Sequence, residues 1–450
     1  MRSRSTLLAV SCFVAACGAP ATVPAPGPTG GMGTPAPSAA NPPGGSEAAP
    51  APPPASNSPR LLAPAPPMGW NDWAHFQCRI DEQIVLDNAR ALVASGLAAK
   101  GYDTVTVDDC WMSTSRSPAG DLVADASKFP NGMKWLGDQL HAMGLKFGIY
   151  EDAGWKTCGE YPGSGQPQGG GPDHFTQDAR LFASWGVDYL KLDGCNVWVP
   201  PGQTMEEAYR AAYGAQSAAL AATGRDIVFS ESAPAYFQES DRWLSVLGWV
   251  GDYGQLWRLG YDIQIYDSWN PTADRWPSVM RNYLYTRDLG RFTRPGNWND
   301  PDFIIGGDPG TTFEEARSQF TLWSMMAAPL ILSSDLTKVT QSPTLMAILG
   351  NADVIAIDQD PVGEAAAVQQ AGDAVDVLVK RLANGDRAVA VFNHGSVASS
   401  QEVAVDALGF GACAGCTYQL KNLWDGTRPD RITVTLPAHA SALFRVTQVK

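Results

Sequence analysis

Acidic residues recur at the ends of short apolar runs through much of this chain. Asp108 closes the run Thr104–Asp108 and Asp109 follows it; Asp152 lies just beyond Lys146–Tyr150. Lys191 and Asp193 share Tyr189–Asp193, and Glu231 follows Ile227–Ser230. Arg258 and Asp262 lie in and behind Leu256–Leu259, and Asp300 and Asp302 lie in Trp298–Asp302. Carboxyl groups in unlike surroundings can divide the work of nucleophile and general acid, which is what cleavage of a sugar acetal needs. The sequence has no HExxH, no Cys/His zinc spacing and no Gly-x-Ser-x-Gly, and its five His are scattered. A metal hydrolase or serine triad therefore has little support, and no metal or cofactor is expected. Fifteen Trp, 13 Tyr and 15 Phe supply core packing or flat faces for sugar rings.

The elements that must position these groups alternate. Eight strand-like runs are expected at Pro67–Trp70, Thr104–Asp108, Lys146–Tyr150, Tyr189–Asp193, Ile227–Ser230, Leu256–Leu259, Trp298–Asp302 and Leu330–Ser333. Amphipathic helical stretches such as Ile84–Ser95 and Lys134–Met143 run between them. Eight such units match the size of a (β/α)8 barrel, expected over 61–360, whose active site forms at the C-terminal ends of its strands. A doubly wound open sheet is the competitor, but no Gly-rich phosphate loop opens any of these helices. Beyond Asp360, strand-like Val375–Val379, Arg387–Phe392, Thr417–Asn422 and Ile432–Leu436 are separated by turn residues. They predict a second, antiparallel β-domain over 361–450.

The whole has 450 residues, 44% hydrophobic and 17% charged, and a net charge of −14, which argues against a nucleic-acid partner. Residues 1–17 read as a secretory signal: Arg2 and Arg4, an apolar stretch from Leu7 to Ala16, then Cys17. The pattern resembles a bacterial lipoprotein signal, in which that cysteine becomes the lipidated N-terminus. Residues 18–60 hold 13 Pro, 10 Ala and 7 Gly, a composition that suits an extended tether. A lipid at Cys17 is the expected membrane contact, and the alternative is a freely secreted enzyme.

Five motifs carry a more specific resemblance: Pro66-Pro67-Met68-Gly69-Trp70-Asn71-Asp72-Trp73, Val107-Asp108-Asp109-Cys110-Trp111, Lys146-Phe147-Gly148-Ile149-Tyr150, Tyr189-Leu190-Lys191-Leu192-Asp193-Gly194-Cys195 and Trp298-Asn299-Asp300-Pro301-Asp302. Together they resemble glycoside hydrolase family 27, the α-galactosidases and α-N-acetylgalactosaminidases. The resemblance implies a (β/α)8 TIM barrel followed by a C-terminal antiparallel β-sandwich. It implies Asp193 as the nucleophile, and strand alternation puts Lys191 on the same side, where a cation favours the ionised carboxylate. It implies Asp262 as acid/base from the spacing Arg258-x-x-x-Asp262, with Arg258 on a sugar hydroxyl; nearby Asp252 and Asp267 are rivals for that role. It further implies Asp108 and Asp109 as acceptors for the 4- and 6-hydroxyls of galactose, Lys191 as a hydroxyl donor, and Trp73 and Tyr150 as pocket walls. A calcium site is the competing reading of Asp108-Asp109, but no loop offers the 6–8 oxygens it needs.

In the family, the loop after the fifth strand selects at C2 of the sugar. Galactosidases related to the animal enzymes carry Glu and Leu there, and galactosaminidases Ser and Ala. Aligning Pro234 and Tyr236 puts Ser232 and Ala235 at the selecting positions, while a one-residue slip would put Glu231 at the first. The expected activity is retaining hydrolysis of terminal α-galactosyl residues, with α-N-acetylgalactosaminidase as the alternative. A β-L-arabinopyranosidase, or a galactose-binding surface lipoprotein without catalysis, fits less well, because Asp108-Asp109 and both Asp193 and Asp262 are present.

Beyond Cys12 and Cys17, six cysteines remain, an even set that suits disulfides in an exported chain. The resemblance pairs Cys78 with Cys110 and Cys158 with Cys195; Cys413-Ala414-Gly415-Cys416 suggests a local bridge. Replacing Cys17 by Ser is expected to release the protein from the membrane fraction of its host. Unchanged fractionation would favour a secreted or periplasmic enzyme.

Overall fold

The computed structural model describes residues 61–450, so the signal, the tether and Cys17 lie outside the described residues. Eight parallel strands are present: β1 Met68–Asn71, β2 Thr104–Val107, β3 Lys146–Asp152, β4 Tyr189–Asp193, β5 Val228–Glu231, β6 Leu256–Arg258, β7 Trp298–Asp300 and β8 Leu330–Leu332. They are rich in apolar residues and buried on both faces, as a sheet enclosed by helices requires. From β1 to β7 each strand pairs with the next in sequence, and β8 pairs with β1. The ring closes beyond β7, where the Ile304 N–H donates to Ile331 and the Ser333 N–H donates to the Ile304 carbonyl. The interior is tight: a Cβ on Gly148 would come within 2.2 Å of the Thr106 hydroxyl.

The helices are α1 Trp73–Phe76, α2 Glu82–Ala94, α3 Gly132–Ala142, α4 Phe175–Trp185, α5 Met205–Ala222, α6 Trp243–Leu247, α7 Trp276–Thr286, α8 Phe313–Met325, α9 Leu336–Val339, α10 Pro343–Leu349 and α11 Ala352–Asp358. Capping boxes start two of the longer ones, Thr204 with Glu207 before α5 and Thr312 with Glu315 before α8. Parallel register fixes which side chains share a face. Tyr150 of β3 lies level with Lys191 of β4 and Ser230 of β5, and Asp152 with Asp193. Farther round, Arg258 lies level with Asp300. Glu231 is level with Leu192 and Trp257 and therefore on the opposite face.

The C-terminal part has a five-stranded sheet in the order β13-β15-β11-β10-β9 and a two-stranded sheet of β12 and β14. These strands are β9 Ala367–Ala371, β10 Val375–Arg381, β11 Arg387–Asn393, β12 Ser399–Val403, β13 Thr417–Asn422, β14 Ile432–Leu436 and β15 Ser441–Val449. Sequence reading misses β9, β12 and β15. The first two are edge strands with mostly exposed residues and no apolar alternation to mark them.

Alternate residues of β10 and β11 serve two cores. Val375, Val377, Val389 and Val391 fill the space between the two sheets, while Leu378, Ala388, Ala390 and Phe392 join the core beneath the barrel. Helix α8 lies in that junction and is buried over nearly its whole circumference. Its polar groups are matched from the β-domain: Ser318 donates to the His439 carbonyl at 2.6 Å, and Glu315 meets His439 at 2.8 Å. From α7, the Tyr283 hydroxyl donates to the fully buried Asp376 of β10 at 2.8 Å, and Arg287 pairs with the same carboxylate.

Candidate active site

The end of β1 builds one wall. The Asn71 side chain donates to Asp108 Oδ2 at 2.6 Å and accepts the Trp73 N–H at 2.8 Å, which turns the chain into α1. Asp72 accepts the Asp108 N–H at 2.7 Å and is itself fully buried. Burial, then the negative Asp108 beside it, raises the Asp72 carboxyl well above the usual range. Asp109 accepts N–H groups from Cys110 at 2.6 Å and Gly159 at 2.7 Å. Burial outweighs these bonds and pushes the Asp109 carboxyl up to about 6.

Lys191 donates to Asp108 Oδ2 at 2.7 Å. This corrects the expectation that its partner is the carboxylate two residues on. Burial alone would lower the ammonium, but Asp108, and then Asp193 at longer range, raise it above its usual value. The donors to Asp193 are different groups. The Tyr236 hydroxyl donates to Oδ1 at 2.6 Å, the Gly194 N–H to the same oxygen at 2.9 Å, and the Tyr150 hydroxyl to Oδ2 at 3.4 Å.

The disulfide Cys158–Cys195 lies against this carboxylate, with the Tyr236 hydroxyl 3.1 Å from the Cys195 sulfur. Bridges Cys78–Cys110 and Cys413–Cys416 complete the set, and three disulfides suit the oxidising conditions met by exported proteins. Asp152 ties the loop down, accepting N–H groups from Gly154 at 2.6 Å and Cys195 at 3.0 Å. Burial, then Asp193, raises the Asp152 carboxyl well above normal. Asp152, Cys158 and Cys195 form a ligand-like cluster, but the two sulfurs are bonded to each other and offer no thiolate.

The opposite wall turns on Arg258, whose guanidinium meets Asp262 at 2.9 Å and Asp302 at 3.1 Å. The rivals stand apart from this guanidinium. Asp252 pairs with Arg210 at 3.9 Å, and the exposed Asp267 accepts the Trp269 N–H. The Asp262 side chain is 68% exposed, and Arg258, with Lys191 and Arg281, holds its carboxyl below the usual range. Asp302, which sequence reading leaves without a role although Trp298-Asn299-Asp300-Pro301-Asp302 marks its place, joins this cluster. It accepts the Ile263 N–H at 2.6 Å, next to Asp262, and burial pushes its carboxyl up to about 6.

The loop expected to select at C2 is a 3-10 turn, Ala233–Phe237, after β5. Ser232 is buried, and its hydroxyl has no hydrogen-bond partner among the described residues; Ala235 and Tyr236 are half-buried. Glu231 is completely buried and faces away from the pocket, so the one-residue slip is excluded.

Acidic groups of unlike environment, gathered where the strands of a parallel barrel end, define the class: a glycoside hydrolase. Comparison with known proteins makes this more specific. Residues 65–360 match the family described as alpha galactosidase A, and residues 372–446 its C-terminal beta sandwich domain. Alpha-galactosidase A of Aspergillus niger is 43% identical over 391 residues, covering 86% of this chain and 69% of that protein. Alpha-galactosidase 2 of Arabidopsis thaliana is 37% identical over 86% of this chain and 91% of its own. The α-galactosidase of Saccharomyces cerevisiae solved with raffinose is similar in structure, with a TM-score of 0.73 at 27% identity, over 86% of this chain and 98% of that one. The chain belongs to glycoside hydrolase family 27. Its activity is that of an α-galactosidase.

The buried carboxyls set the pH response of stability. Asp109 and Asp302 titrate at about 6 when folded, against roughly 4 in an unfolded chain. A raised carboxyl contributes stability that is whole below the unfolded value and is lost as pH rises through the folded one. Two units amount to about 3 kcal/mol per group at most. The thermal midpoint, followed by calorimetry, is expected to fall between pH 4 and pH 7. A midpoint that climbs across that window would contradict the burial assigned here.

Proposed function

We propose that the enzyme hydrolyses terminal α-galactosides by double displacement, with Asp193 as nucleophile and Asp262 as acid/base. The observation that carries this reading is the contrast between the two carboxylates. Asp193 is held by hydroxyls and a backbone N–H at the end of β4, and Asp262 by a guanidinium behind β6. Asp193 attacks the anomeric carbon while Asp262 protonates the departing oxygen, which leaves a galactosyl-enzyme ester. Asp262 then takes a proton from water, water attacks the same carbon, and two inversions give net retention.

Asp262 must carry a proton when the bond breaks, and Arg258 opposes that. Two features act the other way. Asp302 shares the guanidinium, so its ionisation weakens the hold of Arg258 on Asp262. A galactoside in the cleft also removes water from the exposed Asp262, and that desolvation raises its carboxyl. In the same reading Asp108 and Asp109 accept from the 4- and 6-hydroxyls, Lys191 donates to a neighbouring hydroxyl, Arg258 binds another, and Trp73 and Tyr150 face the ring. Asp108 Oδ1, which accepts the Asp109 N–H, keeps lone-pair capacity for a hydroxyl, whereas Oδ2 already accepts from Asn71 and Lys191.

At C2, small Ser232 and Ala235 leave room for an acetamido group, and the unpartnered Ser232 hydroxyl can bond to it. We infer α-galactosidase activity accompanied by α-N-acetylgalactosaminidase activity. Cys17, outside the described residues, is read as the lipid attachment point that anchors the enzyme at a bacterial cell envelope.

Asp193→Asn and Asp262→Asn are each expected to lower kcat by about 10³-fold or more on natural α-galactosides while leaving circular dichroism unchanged. Azide should rescue Asp193→Gly and give the inverted azide. Near-normal turnover in Asp193→Asn would sink the assignment. Combining Ser232→Glu with Ala235→Leu should suppress cleavage of α-N-acetylgalactosaminides more than of α-galactosides, because only the larger C2 group meets the new side chains. Equal losses on both substrates would show that these positions do not select.

A further inference from the structure

One aromatic side chain stands apart from the rest. Trp269 is 93% exposed, while Trp70, Trp111, Trp257, Trp298 and Trp323 are fully buried. It lies seven residues after Asp262 in the connection between β6 and α7. The base of that connection is anchored. The Tyr266 N–H donates to the Ala74 carbonyl at 2.6 Å, its ring stacks on His75 with centroids 4.5 Å apart, and Gln77 donates to its carbonyl at 2.7 Å. At the far end Arg275 is buried, bonded to Asp308 at 2.8 Å and to the Gln264 carbonyl at 2.7 Å, and Asp308 also holds His75. Between these anchors the Trp269 N–H is fixed by the Asp267 carboxylate at 2.8 Å. Three residues span at most about 11 Å. The Trp269 backbone is therefore held within about that distance of Tyr266, which bonds the residue next to Trp73.

The acid/base of a glycosidase faces the bond it protonates and hence the leaving group. Asp262 and Trp269 share the connection from the C-terminal end of β6 to α7, so Trp269 belongs to the face of the barrel on which the active site forms. A large apolar ring left in water at the mouth of a sugar-binding cleft has the shape and chemistry to stack on the C–H face of a pyranose. We propose that Trp269 is a platform for the leaving-group sugars of oligosaccharide α-galactosides, outside the galactose site itself. The inference rests on Asp262 as acid/base, and it deepens that reading by naming an oligosaccharide aglycone as the preferred substrate.

The test compares two substrates that share the galactosyl group. Raffinose presents leaving-group sugars, and α-galactosyl fluoride presents only a fluoride. In Trp269→Ala, kcat/KM for raffinose is expected to fall about tenfold while that for α-galactosyl fluoride stays within twofold. Trp269→Phe should recover most of the loss. Unchanged raffinose kinetics, or equal losses on both substrates, would overturn the platform while leaving the hydrolase reading intact. A wild-type enzyme that cleaves neither substrate would overturn the hydrolase reading, and the platform with it.

Discussion

Two buried cations make the mouth of this barrel possible. Carboxylates crowd the ends of β2, β3, β4 and β7, and taken together without water they would repel one another strongly. Lys191 holds Asp108, and Arg258 spans Asp262 and Asp302. The rest of the charge is managed by backbone N–H groups on Asp109 and Asp152, and by burial that favours the protonated forms of Asp72, Asp109, Asp152 and Asp302. The result is a cluster of acids with a gradient of ionisation tendency across a single pocket. General acid–base chemistry uses such a gradient.

The scaffold holds this gradient in place through short connections. Asp152, at the end of β3, bonds both Gly154 and Cys195, so one carboxylate and one disulfide fix the two loops on either side of Asp193. Gly154 has no room for a side chain, because a Cβ there would lie 1.9 Å from the Cys195 carbonyl oxygen. Opposite, Asp302 bonds the backbone beside Asp262 as well as the guanidinium that holds it. Asp302 therefore links the position of the acid/base candidate to its charge.

The strand ends are legible because apolar runs in a closed barrel stop at the charged residues of the candidate site. Tyr189–Asp193 and Leu256–Arg258 each lead straight into the chemistry. Pairing within the pocket is less legible. Alternation places Lys191 and Asp193 on one face, but it does not say that the long ammonium side chain reaches across to Asp108. The ambiguity over Glu231 is of the same kind: a one-residue change of alignment moves a side chain to the other face of the sheet, and only the observed register decides it. Asp302 stays silent in sequence because its role depends on sharing Arg258 with a residue on another loop. In the β-domain, β15 carries an apolar run that sequence reading passes over, while β9 and β12 offer little to read.

The double duty of β10 and β11 bears on how such an enzyme can be inherited. With valines turned toward the sandwich and Leu378, Ala390 and Phe392 turned toward the barrel, these strands have no solvent side to spare. Helix α8 is likewise covered from both directions. A recombination event that cut the gene near codon 360 would expose oily surfaces on both products. The catalytic barrel is therefore not a free cassette: parted from its companion sheet, it would carry an uncovered apolar face.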